Sequence, residues 1–502
     1  MILLTLVLIF SILLIIKYKR RADMPPGPMP LPIIGNLHQL STAPHLALQK
    51  LSQIYGGAMT LYMGNIPTVI ITDPDYIKEV IIQQSDNTTD RFVSETARII
   101  GNDKDILFSN GAYWKKYRFI LASCFTRMKS HLTIMDKIQE ETTKLMDAFQ
   151  VHAESGENVS PRFLFKQYTS NVILGMLFGQ RSDYFEKYHD VIKAVDLVEK
   201  ELAVGNIPDL LPFLSYFYRE SRSNLQSALE RVWHYSKLSL DEHRRDLQSD
   251  PHRVSDMMDL MIHAIHKSDN PSFFDDEGLV RVCSDLLISG TETSSSTLEW
   301  LLLFLVNNPN YMEKVRCEIN DAMTHAPAGE QSMDLSRRSQ TPFLNACIKE
   351  ALRIRPVGAL SLPRRTTSDV KIGPYTIPAA TQVITNVYGL AMSPELWSQP
   401  EEFNPYRWMD NNNNNNDVEY KFIPFGVGPR SCVGSNLAKD EIYLCISNLI
   451  LRFNFETIDG VSLDEEGKFG IALTCKQYQL KIKPITQTIS INAQGTAMIT
   501  RG

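Results

Sequence analysis

Residues 425–434 read Phe-Gly-Val-Gly-Pro-Arg-Ser-Cys-Val-Gly, and they are the most informative stretch of the chain. A single cysteine, Cys432, lies there among glycines and a proline, just before a helical pattern. Glycine lets the backbone follow paths closed to other residues and approach a flat ligand closely. A lone cysteine is usually a small buried hydrophobe. The alternative in this loop is a thiolate that binds a metal, because the metal compensates the charge and backbone amides tune the sulfur.

The composition bounds the class of protein. The chain has 502 residues, of which 43% are hydrophobic and 22% charged, as in ordinary globular proteins. Nothing in its middle resembles a linker, so we expect a single catalytic domain over residues 37–502. The formal net charge of -6, with lysine and arginine spread along the chain, argues against a nucleic-acid partner. The cysteines form no CxxC pair, so no structural disulfides are expected.

The N-terminus differs from the rest. Residues 1–16 are almost wholly apolar and end at a basic cluster, residues 17–21. The run is short for a spanning helix, which needs about 20 residues, but lysine and arginine stems extend it. A cleaved secretory signal would have positive charge before the apolar run and a small-residue cleavage site after it, and this sequence has neither. We therefore predict a transmembrane anchor over residues 1–17, with everything after it on the cytosolic side.

Two segments have a biased composition. Residues 18–36 form a basic and proline-rich hinge, whose prolines favour a stiff spacer over a flexible linker. Residues 411–416 are all asparagine and have no apolar surface to bury, which predicts a disordered low-complexity insert. Elsewhere helical patterns dominate, and a short hairpin is predicted from strands at 59–63 and 68–72. The fold class predicted is mainly α with small β-sheets.

An unbroken helical pattern runs from Asp276 to Val306, which corresponds to about 45 Å. Gly290, Thr293 and Thr297 lie on one face of it. Glycine and hydroxyl residues are poor helix formers in mid-helix, and their side chains can open the helix locally. By itself, this pattern is typical of a polar patch where two helices cross.

Other segments carry charged or aromatic side chains at helical spacing. Glu350 and Arg353 are three residues apart and can meet on one helix face, although such a pair is usually a weak surface salt bridge. Trp114 and Arg118 are four residues apart and face the same way. Arg407 follows in the segment Phe-Asn-Pro-Tyr-Arg-Trp at 403–408.

Together these motifs resemble the cytochrome P450 family. Residues 425–434 match its haem-binding loop, Phe-x-x-Gly-x-Arg-x-Cys-x-Gly, and residues 289–294 resemble its central-helix motif, with Ser289 in place of alanine or glycine. The Glu350–Arg353 and Trp114–Arg118 pairs resemble its Glu-x-x-Arg and Trp-x-x-x-Arg helices. The resemblance implies the cytochrome P450 fold, here preceded by one N-terminal transmembrane helix.

The resemblance also implies a role for each motif. Cys432 is expected to be the axial thiolate of haem b, iron protoporphyrin IX, and thus the metal ligand. Gly290, Glu292 and Thr293 are the expected catalytic residues, which form a groove for dioxygen and supply protons. Seven further residues are expected to bind the cofactor: Phe425, Gly428, Arg430, Gly434, Trp114, Arg118 and Arg364, with Arg365 as an alternative to Arg364. Glu350, Arg353 and Arg407 are expected to form a buried structural network.

The implied activity is that of a monooxygenase acting on an apolar small molecule. Its electrons would come from NADPH through a separate flavoprotein reductase, since the sequence has no flavin or dinucleotide fingerprint. Lys115 and Lys116 either meet that acidic electron donor or form a solvated face. Residues 94–106, 203–217 and 359–362 are expected to shape the substrate site.

Two alternatives remain open at this point. One is a haem-thiolate isomerase or dehydratase that needs no external electrons, and the other is a non-enzymatic haem-binding sensor. The expected location is the membrane of the endoplasmic reticulum, spanned once, with membrane lipid as a partner and the catalytic domain in the cytosol.

Overall fold

The structure is a computed structural model, and it describes residues 21–130, 133–184, 190–203, 207–324, 326, 331–409, 420–485, 487–491 and 497–501. The anchor predicted at 1–17, the asparagine run at 411–416 and the first residues of the predicted hinge lie outside these ranges. Among the described residues, no helix combines the length and the apolar character needed to cross a membrane.

Helices make up most of the described chain. The α-helices are α1 (Pro44–Tyr55), α2 (Pro74–Ile77), α3 (Ser85–Thr88), α4 (Glu95–Gly101), α5 (Gly111–Ser130), α6 (Thr133–Ser155), α7 (Pro161–Phe178), α8 (Asp190–Ala203), α9 (Ile207–Leu210), α10 (Arg219–Ser249), α11 (Met257–His266), α12 (Asp276–Asn307), α13 (Pro309–Thr324), α14 (Pro342–Ile354), α15 (Val387–Ala391) and α16 (Ser435–Arg452). Short 3-10 turns include Pro212–Tyr218 and Pro405–Trp408, and a π-helical turn spans Lys78–Gln83.

Helix α12 is the central element, as the sequence predicted. It contains 32 residues, about 48 Å in length, and most of them are buried. The carboxylate of Asp275 caps its start by accepting the backbone N–H of Gly278 at 2.8 Å. The helix ends before Pro309, which cannot continue it. Helices α7, α10, α14 and α16 pack around it.

The strands are short and form small sheets. They are β1 (Ala58–Met63), β2 (Ile66–Ile71), β3 (Arg364–Arg365), β4 (Val370–Ile372), β5 (Tyr375–Ile377), β6 (Gln382–Thr385), β7 (Phe453–Thr457), β8 (Gly467–Lys468), β9 (Thr474–Cys475), β10 (Leu480–Pro484), β11 (Gln487–Ile491) and β12 (Ala497–Arg501). The largest described sheet has the order β1-β2-β6-β3, and the other sheets are two-stranded. The prediction of a mainly α fold with small sheets is confirmed.

The predicted hairpin forms, and the proline-rich segment lies against it. Strands β1 and β2 pair antiparallel with Met63 opposite Ile66, while β6 adds to β2 in parallel. The backbone N–H of Thr60 donates to the carbonyl of Pro26 at 2.8 Å, and Gly35 bridges to Met63. Residues 25–35 are therefore bonded to the catalytic domain.

Candidate functional site

A cavity of about 370 Å³ lies between α12 and the loop that precedes α16. Leu286, Gly290, Thr293 and Thr297 line it from α12, which is the helix face predicted from spacing. Cys432 lines it from the loop. Two segments about 140 residues apart in sequence thus face one space.

The cysteine loop is held in a conformation that requires glycine. The backbone N–H of Cys432 donates to the carbonyl of Phe425 at 2.9 Å. Gly428 has φ of 74°, and a Cβ there would lie 2.9 Å from the carbonyl oxygen of Ile81. Both observations exclude a side chain at this position. Gly434 also lines the cavity, and apart from its chain neighbours no atom lies within 4 Å of where its Cβ would be, so packing alone does not require glycine there.

Cys432 is accessible from the cavity that it lines, although the surrounding protein encloses its thiol on most sides. Burial raises the pKa of its thiol, and the backbone N–H of Gly434 and the charges of Arg118 and Lys439 act in the opposite direction. A metal bound to the sulfur would displace the proton outright. The loop therefore offers a thiol that protein groups stabilise as a thiolate once a metal binds.

Arginines are grouped on one side of the same cavity: Arg91, Arg118, Arg364 and Arg430. Burial lowers the pKa of Arg364 to about 10, and burial together with the charge of Arg364 lowers that of Arg430 to about 9. Burial, followed by the charges of Arg364 and Arg430, also lowers the pKa of Arg91. Because these cations repel one another, this wall favours an anionic ligand. Arg91 was missed, since nothing in its sequence context marks it.

Hydrogen bonds fix the orientation of these guanidinium groups. Arg430 donates to the carbonyl of Ser109 at 2.6 Å, and its Cζ lies 3.9 Å from the centre of the Trp114 ring. Arg118 donates to the carbonyl of Ser431 at 2.7 Å, which ties α5 to the cysteine loop. Of the two arginines in β3, Arg364 is buried and lines the cavity, whereas Arg365 is exposed.

The residues present fit a haem. One wall carries a cysteine sulfur, one edge carries buried arginines, and much of the remaining lining is apolar, including Ile81, Ile173, Phe425 and Leu437. Haem complements each of these features: its iron binds thiolate, its two carboxylates pair with arginines, and its macrocycle is apolar.

Thr293 and Gly290 lie on the α12 wall for different reasons. The hydroxyl of Thr293 donates to the carbonyl of Ser289 at 2.7 Å, and its side chain is exposed on the cavity. A Cβ at Gly290 would lie 2.7 Å from Cδ1 of Ile173 on α7. Glycine at 290 therefore lets α7 and α12 approach closely.

The predicted catalytic residue Glu292 is not among the cavity-lining residues. Its carboxylate lies 3.0 Å from Nζ of Lys166, which also pairs with Asp196 and Glu199 at 2.6 Å each. An α-helix turns by about 100° per residue, so a side chain next to Thr293 in sequence points to a different face.

Glu350, Arg353 and Arg407 are brought together, and a fourth residue joins them. Both oxygens of Glu350 accept from Arg353, at 2.8 and 2.9 Å, and Arg407 donates at 2.9 Å. The indole N–H of Trp408 donates at 2.8 Å. The side chains of Glu350 and Arg353 are fully buried, so this is not the weak surface pair that spacing alone would suggest.

The segments expected to shape the substrate site contribute unequally. Ile106 and residues 360–362 line the cavity. No described residue between 203 and 217 is among the residues that line the cavity. Phe213 and Phe217 are instead exposed on the surface.

Comparisons with known proteins agree with this geometry. A family model described as cytochrome P450 matches residues 25–482. The "Probable cytochrome P450 516A1" of Dictyostelium discoideum is 52% identical over 493 residues, covering 97% of this chain and 100% of that protein. The "Probable cytochrome P450 516B1" of the same organism is 38% identical over 496 residues, covering 95% and 99%.

Solved structures with the same fold come from zebrafish. One cytochrome P450 structure with progesterone has a TM-score of 0.78 and 26% sequence identity, covering 88% of this chain and 99% of that one. A second, with abiraterone, has a TM-score of 0.75 and 26% identity, covering 88% and 100%.

Proposed function

The chain belongs to the cytochrome P450 family and is a haem-thiolate monooxygenase, and we propose that it oxidises an apolar small molecule with electrons from NADPH passed on by a separate flavoprotein reductase. One oxygen atom of dioxygen enters the substrate, and the other leaves as water. The observation that carries the proposal is that Cys432 and Thr293 line one cavity from two different elements.

In this proposal, Cys432 is the residue that holds the cofactor. Haem bound through a thiolate supplies the activation of dioxygen. The backbone N–H of Gly434 hydrogen-bonds the sulfur and limits its basicity. Arg91, Arg118 and Arg430, with Arg364, hold the two carboxylates of the macrocycle, because guanidinium forks bind carboxylates in a bidentate manner. Phe425 and Gly428 keep the loop in shape.

Thr293 and Glu292 act on protons in this proposal. The Thr293 hydroxyl is oriented by its bond to the Ser289 carbonyl, and it presents its oxygen to the cavity. Glu292 lies behind the helix, where Lys166 connects it to Asp196, whose side chain is 40% exposed. That chain of ionisable groups supports proton exchange between α12 and solvent.

The lining of the cavity supports an apolar substrate. Aliphatic side chains from distant segments share the wall, including Ile106, Leu286, Leu360 and Ile471. The ligand named for one zebrafish structure, progesterone, is a largely apolar steroid. An apolar wall with few polar groups binds by burial of apolar area and selects by shape.

A reductase docking site is supported at α5. Lys115 on this helix is exposed, and Arg118 of the same helix is bonded to the cysteine loop. Lys116 is less available to a partner, since its Nζ makes a cation–π contact 3.8 Å from the centre of the Phe273 ring. An acidic partner held at Lys115 would approach the thiolate side of the site.

Membrane attachment is supported by exposed apolar side chains near the β1–β2 hairpin. Met29 is 83% exposed and Phe217 is 76% exposed. Gly35, close to Met29 in sequence, bridges to the end of β1, and Gly64 in the hairpin turn lies against the carbonyl of Leu210. Exposed apolar side chains in these two segments are of the kind that a bilayer surface would cover.

The proposed location is the endoplasmic reticulum membrane, with the catalytic domain in the cytosol. Resistance of the membrane-bound protein to alkaline extraction, with its C-terminus open to protease outside sealed microsomes, is the expected result. Asn158 is exposed and begins the sequon Asn-Val-Ser. Glycan found on Asn158 in the native host would contradict the orientation.

Turnover with a reductase separates this function from its alternatives. The purified protein is loaded with haem, combined with a microsomal NADPH reductase, and supplied with apolar candidate substrates. Consumption of NADPH that rises with both substrate and reductase is expected. Product formed at an equal rate without NADPH would indicate an isomerase or dehydratase. Ligand binding with no product under any condition would indicate a sensor.

A further inference from the structure

A buried group of three ionisable side chains lies where α10 meets α11, and none of the three is among the residues that line the cavity. We propose that His243, Asp256 and Asp259 form a binding site for one divalent transition-metal ion, and that zinc is the ion that this donor set fits best. The ion joins the two helices and has a structural role. This inference goes beyond the proposed function, since no step of the monooxygenase reaction involves the site.

The three residues come together at the connection between the helices. His243 lies in the last two turns of α10, Asp256 directly precedes α11, and Asp259 lies in the first turn of α11. One ligand atom from each residue lies within 4.8 Å of the other two. The side chain of His243 is 5% exposed, and those of both aspartates are 0% exposed. Ligands of a tetrahedral zinc ion lie about 3.3–3.6 Å apart, so small side-chain adjustments close the site.

The imidazole of His243 is oriented like that of a metal ligand. Its Nδ1 lies 2.6 Å from the carbonyl oxygen of Ser239, and because a carbonyl oxygen accepts, Nδ1 carries a proton and donates. Its Nε2 lies 2.8 Å from Oδ2 of Asp256. In the neutral ring, Nε2 is a lone pair that faces a carboxylate oxygen. A cation therefore has to lie between them, and it is either a proton or a metal ion.

Asp259 favours the metal ion over the proton. Its Oδ2 accepts the backbone N–H of Ser255 at 2.8 Å, while its Oδ1 is buried without a hydrogen-bond partner. A proton on Nε2 of His243 serves Asp256 and leaves that oxygen of Asp259 unmatched in the protein interior, which is costly. A divalent ion binds all three side chains and compensates both carboxylates.

The cationic side chains near the site are bonded to other acceptors. Nε of Arg253 lies 3.7 Å from Oδ2 of Asp259, which is too far for a hydrogen bond, and it donates to the hydroxyl of Ser255 at 2.9 Å. Nζ of Lys137, from α6, donates to the carbonyl oxygen of Ser255 at 3.0 Å. The charge of the two aspartates thus remains available to a bound ion.

The donor set favours zinc over magnesium and calcium. Magnesium and calcium prefer oxygen ligands, whereas an imidazole nitrogen suits zinc and its neighbours among the transition metals. Zinc usually takes four ligands, and a water molecule completes the set here. Residues 250–252 and 254 in the connection between the helices are exposed, which gives the ion a route to the site from solvent.

An ion at this position stabilises the folded protein. It binds side chains that the fold brings together, so it binds the folded chain in preference to the unfolded one. Helix α11 packs against α5, the helix that carries Trp114 and Arg118. Holding α11 to α10 therefore supports the helix on which those two residues lie.

Zinc binding to the haem-loaded protein tests the site. The protein is treated with a chelator, dialysed and titrated with zinc, and the bound zinc is measured by elemental analysis. We expect one tightly bound zinc per chain in the wild type. Loss of a second-shell partner already weakens metal sites by about 10–100-fold, so Asp259→Asn should lose at least about a hundredfold in affinity. Asparagine keeps an oxygen for the backbone N–H of Ser255 but removes the charge.

His263→Gln is the matched control and should bind zinc like the wild type. His263 also lies on α11, but its Nε2 bonds to the backbone carbonyl of Arg253. Zinc should also raise the unfolding midpoint of the wild type and of His263→Gln, and leave that of Asp259→Asn unchanged.

X-ray absorption at the zinc edge tests the ligands in the wild type alone, so it decides the matter even if Asp259→Asn does not fold. We expect nitrogen and oxygen neighbours at about 2.0–2.2 Å, with the outer scattering of one imidazole. A sulfur neighbour at about 2.3 Å would place the ion on a cysteine and overturn the assignment. Equal affinity in Asp259→Asn would show an adventitious ion only. Wild-type protein that binds no zinc would leave a proton as the cation at His243 and defeat the proposal.

Discussion

At the scale of single residues, Glu350 shows how a buried charge is made stable. Its carboxylate accepts from Arg353, Arg407 and Trp408, and the pair it forms with Arg353 has no exposed side-chain surface. Taking such charges out of water is costly unless every donor is matched. Helical spacing predicted the contact with Arg353, and the family resemblance predicted that Arg407 would join the same network. The hydrogen bond from Trp408 could not be predicted, because Trp408 lies 58 residues after Glu350 and the sequence motifs do not specify the direction of its indole N–H.

Arg353→Ala should produce protein that does not hold haem. The substitution leaves the buried Glu350 carboxylate with Arg407 as its remaining arginine partner, and removing one partner of a buried ion pair costs about 3–5 kcal/mol. Haem content per protein and the unfolding midpoint measure the effect. Lys476→Ala is the matched control, since it removes exposed ion pairs with Asp464 and Glu466, which solvent screens. Normal haem content in Arg353→Ala would show that the network does not support the cysteine loop.

Thr293→Ala should keep haem but divert electrons to peroxide. The variant loses the hydroxyl that the cavity face of α12 presents next to Gly290. Thr291→Ala is the control, because Thr291 makes the same bond to the carbonyl four residues earlier but is buried and does not line the cavity. The ratio of peroxide to NADPH consumed should rise about tenfold in Thr293→Ala and stay low in Thr291→Ala. Tight coupling in both variants would remove Thr293 from its proposed role.

At the scale of elements, α12 and the α7 helix beside it determine the width of the site. The sequence predicted the length of α12 and the face on which Gly290 and Thr293 lie. It could not predict that Ile173 of α7 fills the space at Gly290, because that contact joins residues more than a hundred positions apart. The glycine that resembled part of an oxygen groove is also a packing requirement between two helices.

Gly290→Ala should therefore destabilise the protein. Its Cβ would lie 2.7 Å from Ile173, and overpacking of this kind costs about 1–3 kcal/mol. The double variant Gly290→Ala with Ile173→Ala should lose less stability than the sum of the two single variants, because removing the Ile173 side chain also removes the clash. Gly175→Ala is the contrasting control in α7, where the new Cβ would lie 3.7 Å from the nearest atom and the helix gains up to about 1 kcal/mol. Equal unfolding midpoints for Gly290→Ala and Gly175→Ala would contradict this account of the packing.

At the scale of the whole molecule, features that depend on neighbouring residues in the sequence could be predicted, whereas contacts between residues far apart in the sequence could not. Local patterns identified the mainly α fold, the β1–β2 hairpin and the cysteine loop. Arg91 escaped notice because its neighbours in space, Arg364 and Arg430, come from the far end of the chain. The segment 203–217 was expected to shape the substrate site, yet the side chains of Phe213, Tyr216 and Phe217 are exposed on the surface. Tertiary packing determines both the neighbours of Arg91 and the exposure of these aromatic side chains, and the periodicity of the sequence does not report on tertiary packing.

The carbon monoxide difference spectrum of the reduced, haem-loaded protein tests the central claim most directly. That claim is that Cys432 would hold haem as its thiolate ligand in the cavity that α12 and the cysteine loop line. The wild-type protein should give the spectrum of a thiolate-ligated haem, and Cys432→Ser should lose it while the fold is retained. A wild-type spectrum typical of imidazole ligation, or a thiolate spectrum that survives in Cys432→Ser, would contradict the account.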